Sequence, residues 1–439
     1  MTLRLQPAKG LVSAFALAGL ALLPACAQAQ MGGQSERFSI AVIPDTQNYV
    51  DYTHQTEEGF PFNARTLFLD QMDYIAANAQ SNGGDIAFAI SLGDVWQHAS
   101  QGIDEAHLAM GQSAIANPLL DAHLAPSPEG VAREMATAHE GYSRLDGVMP
   151  FAVVPGNHDY DGNWSDSRFP PAEDYMNPGD NAFPFGQLHY GGLQNFASVF
   201  GEDSDFFRDQ DWYLGAYNDG ANSATVFEAG GYRFLHIGLE MAPEDDVLVW
   251  AQSMVDAYPG LPTIVSIHDH LNTSGERQAI SAVDFDAVHP EHNNAEEVWR
   301  KFLRPNAQIF LVLSGHQHGQ SRRVDDNQAG FAVHQMLSDY QDRAQVMKDI
   351  APDYSAPAAI GDGWMRLMTF DFSSDIPVLT VETYSTHYEA MADELDTYAS
   401  WYRDNEQPGM SDEAFIAEEM FEIDLSDFRE RFAPLAEQN

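Results

Sequence analysis

Apolar positions gather into near-continuous runs at 38–43, 86–92, 151–154, 263–267 and 309–313. Apolar residues that continue rather than alternate are the mark of strands buried on both faces, so each run predicts an interior strand. Between the first two, Phe68, Met72, Ile75, Ala76 and Ala79 recur at helical spacing until Gly83-Gly84 stops them, giving a β-α-β order. Residues 101–148 read as two more helical stretches leading into the third run. Gly230-Gly231 predicts a hairpin over 225–237, and Val247, Trp250, Ala251, Met254 and Val255 form the apolar stripe of a helix ended by Pro259-Gly260. Further strands are expected near 330–337, 364–372 and 378–384, too close together for crossover helices and therefore antiparallel. Residues 160–222 form a long connection rich in Asp, Asn, Gly and Pro, a candidate substrate-binding excursion. Residues 36–386 suit one large domain, and the acidic, helix-patterned stretch 387–439 is expected to pack outside its layers as an extension.

The run ends carry the chemistry. They present Asp45 and Gln47, then Asp94, Asn157, His268, and His316 with His318. Carboxylate, amide and neutral imidazole are the donors that hard or borderline divalent cations select, and one carboxylate can bridge two such ions. Seven donors are enough for two divalent metal ions with positions left for water and substrate. Two cations about 3.5 to 4 Å apart acidify a shared water and clamp a phosphoryl oxygen. His158, next to Asn157, is a candidate general acid, with Asp159 expected to orient it.

Other residues have two readings. His98 and His270 lie near proposed ligands and are candidates for the pocket, whereas His236, inside an apolar run, reads as structural. Trp96, Tyr160 and Trp164 are either pocket walls or stacking platforms. Arg322 and Arg323 are either phosphate readers or a surface pair that offsets an acidic field.

Charge narrows the partners. The chain has 21 basic and 66 acidic residues and only three lysines, at 9, 301 and 348. With no basic stripe to displace counterions from phosphates, duplex nucleic acid is not an expected partner. Such a surface stays hydrated and soluble in strong salt, which points to a saline habitat. Arg4 and Lys9 precede an apolar segment at 11–23, and Ala27-Gln28-Ala29 is a cleavage signal, so residues 1–29 read as a signal peptide and the protein as exported, periplasmic or extracellular. That segment is too short to span a bilayer, and no transmembrane span is expected elsewhere. Leu23-Pro24-Ala25-Cys26 loosely resembles a lipoprotein processing site, so a lipid anchor at Cys26 is the alternative.

The blocks Asp45-x-Gln47, Gly93-Asp94, Gly156-Asn157-His158-Asp159, His268 and Gly315-His316-x-His318 resemble, in order, those of the calcineurin-like metallophosphoesterase superfamily. The nearest likeness is to its secreted bacterial branch with Pro44-Asp45-Thr46-Gln47, followed by the stretches 337–341, 363–366 and 383–385. The resemblance implies an α/β fold, a four-layer αββα sandwich of two mixed β-sheets flanked by helices, with the site at the strand ends. It implies Asp45, Gln47 and His318 on one cation, Asn157, His268 and His316 on the other, Asp94 bridging both, and His158 as the catalytic imidazole. The implied activity is hydrolysis of small phosphomonoesters or phosphodiesters with two divalent cations drawn from Mn, Fe, Zn, Mg and Ca. One position departs: Gln47 stands where most members have histidine, and its amide oxygen favours Mn, Mg or Ca over Zn. That departure keeps a non-catalytic phosphate- or metal-binding relative as the alternative. Gln97 stands where purple acid phosphatases have a tyrosine ligand, which sets those enzymes apart.

Overall fold

In the computed structural model the described residues are 35–118, 120, 124–166, 188–277, 292–355 and 359–437. The expected signal peptide and Cys26 lie outside them, as do residues 167–187 of the excursion. The chain lays down β1 (Arg37–Ile43), β2 (Ile86–Ser91), β3 (Phe151–Val153), β4 (Gly162–Ser165), β5 (Leu188–Gly191), β6 (Tyr213–Tyr217), β7 (Asn222–Ala229) and β8 (Tyr232–Leu239). It continues with β9 (Thr263–Ile267), β10 (Ile309–Ser314), β11 (Gly319–Asp326), β12 (Ala332–Asp339), β13 (Trp364–Asp371), β14 (Val378–Ser385), β15 (Ala390–Met391) and β16 (Phe421–Asp424).

Two large mixed sheets result. One has the order β15-β14-β13-β1-β2-β3 with β16 also on β14, and the other β11-β12-β10-β9-β8-β7-β6. Both are parallel at the centre: β1 with β2 and β2 with β3 in one, β8, β9, β10 and β12 in the other. Antiparallel strands lie on both sides of the parallel group in the second sheet and on one side in the first, where β3 is the edge. The expected hairpin is β7–β8.

The two-residue period of each strand assigns its side chains to opposite faces. Phe38, Ile40 and Val42 of β1 join Phe88 and Ile90 of β2, Phe227, Phe234, Phe310 and Phe370 in a core fed by both sheets. Each of these rings contributes about 1.5–3 kcal/mol by leaving water. The alternate residues Ala41, Ile43, Ala89 and Val153 face Leu67, Met72 and Ile75 of the helix Arg65–Ala77 and Tyr142 of the helix Met135–Tyr142. On the other sheet, Leu235, Ile237, Val265 and Val312 face Val247, Ala251 and Val255 of the helix Asp245–Ala257. The layers therefore run helix, sheet, sheet, helix. Burial on both faces explains the unbroken apolar runs.

Three expectations change. The strand at 330–337 is not purely antiparallel: β12 pairs antiparallel with β11 but parallel with β10. The chain passes to the sheet edge as β11, turns at 327–331 and inserts β12 between β11 and β10, so β12 points the same way as the other central strands. The stretch 387–439 does not merely cover the outside. Its helices Tyr398–Glu406 and Asp412–Ala417 sit over Tyr340 and Trp364. However, β15 and β16 extend the first sheet, and Phe428 and Phe432 enter the core between the sheets. The excursion, finally, is built rather than open: β4 and β5 form a ribbon, followed by the helix Gln194–Phe200 and β6.

Candidate metal centre

Central strands of both sheets release their chains at one edge, where ligands gather in α/β sheets. Past β1 come Asp45 and Gln47, past β2 Asp94, past β3 Asn157, past β9 His268, and past β10 His316 and His318. Asp94 is the hub. Its Oδ2 lies 3.3 Å from His268 Nε2, 3.3 Å from Gln47 Nε2 and 3.9 Å from His158 Nε2, while Oδ1 accepts the His158 backbone N–H at 2.8 Å. Asn157 Oδ1 is 3.2 Å from His268 Nε2, and Asp45 Oδ2 accepts the His316 N–H at 3.1 Å. One donor atom each from Asp94, His268 and His316 falls within 4.8 Å of the others. These contacts bring together Asp45, Gln47, Asp94, Asn157, His158, His268 and His316, and His318 joins them through Gln341.

Backbone close to the site is tightly constrained. A Cβ on Gly156 would lie 2.2 Å from Asp94 Oδ1, and one on Gly315 would lie 2.1 Å from Asp45 Oδ1. Asp94, His316 and His318 have φ of 48°, 70° and 43°, left-handed values that non-glycine residues adopt at a cost of about 1–3 kcal/mol each. The surrounding sheets maintain them.

Orientation comes from neighbouring carbonyls and carboxylates. His268 donates Nδ1–H to the Leu92 carbonyl at 2.7 Å, which directs Nε2 toward Asp94 and Asn157. His158 makes the equivalent contact from Nδ1 to the Gln97 carbonyl at 2.8 Å. Asp159 does not touch His158, so its expected role is corrected. Its carboxylate turns inward and accepts the N–H groups of Val95 and Gly156, both at 2.8 Å. It ties the Asp94 loop to the Asn157 turn. The Gln97 carbonyl is held in turn by Glu134, fully buried, which accepts from the N–H groups of Tyr52, Gln97 and His98 and pairs with His98 Nδ1 at 2.8 Å. His98 therefore supports the loop instead of lining a pocket. Asp51, His98 and Glu134 form a second group with metal-compatible spacing.

Charge at the site is unbalanced. Asp45, Asp94, Asp159 and Asp339 are all at most 2% exposed. Burial, then the charges of Asp339 and Asp94, push Asp45 well above the usual carboxylate range. Burial and Asp94 push Asp159 up to about 8. Burial opposes ionisation of Asp94 as well, but the imidazoles of His268 and His158 hold it below its ordinary value. Asp45 Oδ1 and Gln47 Oε1 are buried without a hydrogen-bond partner among the described residues. Stranded lone pairs among crowded carboxylates are what divalent cations would satisfy, so the residues present fit such ions.

Sequence reasoning noted the stretch 337–341 but gave no site role to Asp339, at the end of β12, or to Gln341 just beyond it. Gln341 Nε2 is 2.7 Å from His318 Nε2, and its Oε1 accepts from Gln47 Nε2. Asp339 accepts the His318 N–H at 2.8 Å. A signal was available, because Asp339-Tyr340-Gln341 repeats the spacing of Asp45-Thr46-Gln47 after an apolar run. Tyr190, from the excursion, hydrogen-bonds to Asn157 and lines a pocket of about 300 Å³ with Tyr160, Leu193, Asn218, Glu240 and His292. Trp96 and Trp164 are buried in the interior, at 2% and 1% exposure. His270 is buried against Gln335 and His236 against Ser266, both at 2.9 Å. Arg322 pairs with Glu418, and Arg323 with Asp325 and Glu276.

The class so defined is a mixed α/β protein of two large mixed sheets, with a buried carboxylate–imidazole cluster able to hold metal ions. No protein-family model matches the chain. Over 267 residues it is 27% identical to the uncharacterized protein YvnB of Bacillus subtilis strain 168, a match covering 58% of this chain and 16% of YvnB. The chain thus corresponds to a small part of that relative. Among the described residues no helix is long and apolar enough to cross a membrane.

Proposed function

We propose that the chain is an exported metal-dependent phosphoesterase of the calcineurin-like metallophosphoesterase type, hydrolysing small phosphomonoesters or phosphodiesters. The observation that carries this reading is the meeting of Asp45, Gln47, Asp94, Asn157, His268, His316 and His318 at the strand ends, with buried oxygens of Asp45 and Gln47 left without partners. Asp45, Gln47 and His318 would hold one divalent cation, Asn157, His268 and His316 the other, and Asp94 both. Bound there, the cations supply polarisation of a phosphoryl oxygen and acidification of a water.

The chain's own groups do the rest. His158 donates Nδ1–H to the Gln97 carbonyl, so the proton it exchanges with a leaving oxygen sits on Nε2, beside Asp94. His268 is held by Leu92 with Nε2 toward the centre. The acidic surface disfavours nucleic acid duplexes and leaves small phosphorylated compounds as the substrate class.

Hydrolysis of bis-p-nitrophenyl phosphate and p-nitrophenyl phosphate is the test, in high salt, after chelation and after manganese is returned, with Asp94→Asn alongside. Expected is manganese-dependent turnover that the substitution abolishes. Folded protein that turns over neither ester with any cation would overturn the enzyme in favour of a non-catalytic binding protein, the reading that Gln47 in a histidine position would then support.

A further inference from the structure

Gln341, in the stretch 337–341, occupies a position in the site to which the sequence reading gives no role. Its side-chain amide lies between two proposed ligands of one cation, contacting Gln47 on one side and His318 Nε2, at 2.7 Å, on the other. His318 Nδ1 donates to the Asp342 carboxylate at 2.6 Å, an orientation that presents Nε2 to Gln341. Gln47 Oε1 and Asp45 Oδ1 are buried with no partner among the described residues. The Gln341 amide thus bridges Gln47 and His318, and Gln47 in turn reaches Asp94.

Gln341 is also held there. It is 7% exposed, its N–H is accepted by Asp339 Oδ1 at 3.1 Å, and its carbonyl accepts from Asn48 Nδ2 at 3.0 Å. On either side, Tyr340 and Arg343 are anchored on Glu419 at 2.8 and 2.7 Å. This is a fixed turn with its amide turned inward.

We propose that Gln341 is a metal ligand, giving its amide oxygen to the cation shared by Asp45, Gln47 and His318 once its amide and that of Gln47, whose Nε2 faces Asp94 and Gln341, both turn end for end. The proposal rests on the phosphoesterase reading and extends it. With Gln341 included, that cation meets oxygen from Asp45, Gln47, Gln341 and Asp94 and a single imidazole. Asn157, His268 and His316 give the other cation two imidazoles. Oxygen-rich sets select manganese, magnesium or calcium, whereas imidazole-rich sets suit zinc or iron. The two positions thus differ in kind, and Gln341 with Gln47 makes the difference.

Calorimetric titration of metal-free protein with manganese and, separately, with zinc tests this, with bound metal counted by elemental analysis after desalting. Wild type is expected to bind two manganese ions. Gln341→Ala keeps one unchanged and weakens the other by about tenfold or more, the usual consequence of losing such a group. Gln341→Glu, of the same shape and with a charged oxygen, binds that manganese at least as tightly as wild type and increases its margin over zinc. Melting of the metal-free Gln341→Ala protein stays at the wild-type temperature, which separates ligation from folding. Unchanged manganese affinities in Gln341→Ala, or failure of Gln341→Glu to hold the second ion, overturn the ligand and leave the phosphoesterase standing. A wild type that binds no divalent cation overturns both.

Discussion

Asp159 and His158 are sequence neighbours with opposite duties. His158 faces the metal centre, and Asp159, fully buried, fastens two backbone segments together. Replacing His158 by Ala is expected to lower turnover about 10²- to 10⁴-fold while metal content and melting temperature stay as they are. Asp159→Asn keeps one oxygen acceptor and turns the other into a donor facing N–H groups, so it should cost about 1–3 kcal/mol in urea unfolding. Equal stability of the two variants would contradict this division. The gathering of the seven proposed ligands at one edge was legible, because each stands within a few residues of an apolar run's end. The direction of Asp159 was not, since in a tight turn consecutive side chains diverge and sequence adjacency carries no direction.

Elements decide what residues at their ends can reach. Because β12 runs parallel to β10, Asp339 and Gln341 emerge at the same edge as His316 and His318. The sequence suggested an antiparallel strand because the connections are short, and short connections also permit a strand to be inserted beside an earlier one. At the C-terminal end, Phe421, Ile423 and Leu425 alternate with Glu422 and Asp424, a strand pattern hidden within an acidic stretch, and it becomes β16.

The same segment delivers Glu419 into the interior. There, unexposed, it pairs with Arg343 at 2.7 Å and Arg366 at 2.9 Å and accepts from Tyr340 and Tyr398. Burial opposes its ionisation, yet the two guanidiniums hold it down to about 2, against 4.5 in the open chain. A carboxylate depressed in this way stabilises the fold fully above pH 4.5 and loses that contribution as pH falls toward about 2. The loss amounts to about 3 kcal/mol. Acid unfolding of wild type should therefore steepen within that window. Glu419→Ala, which strands two buried guanidiniums, should lose about 3–5 kcal/mol already at neutral pH. Wild-type stability in that variant would mean the C-terminal segment is not integral to the sandwich.

For the whole molecule, 66 acidic residues against 21 basic ones imply strong self-repulsion at low ionic strength. Screening at 1 M salt shortens its reach to about 3 Å, so the melting temperature should rise steadily from dilute buffer to molar potassium chloride. A flat profile would remove the saline-habitat argument. Arg322 and Arg323 are engaged with carboxylates.

Periodicity and composition determined the buried central strands, the hairpin, the helices at 65–77 and 245–257, the acidic surface and the metal-competent run ends, because burial on both faces and ligand chemistry leave local marks on a chain. Tertiary structure alone decided that β12 joins the parallel centre, that residues after 386 complete the first sheet and the core, and that Gln341 stands between Gln47 and His318. Those outcomes depend on strand direction and on pairings between residues up to nearly 300 positions apart, which no local pattern encodes.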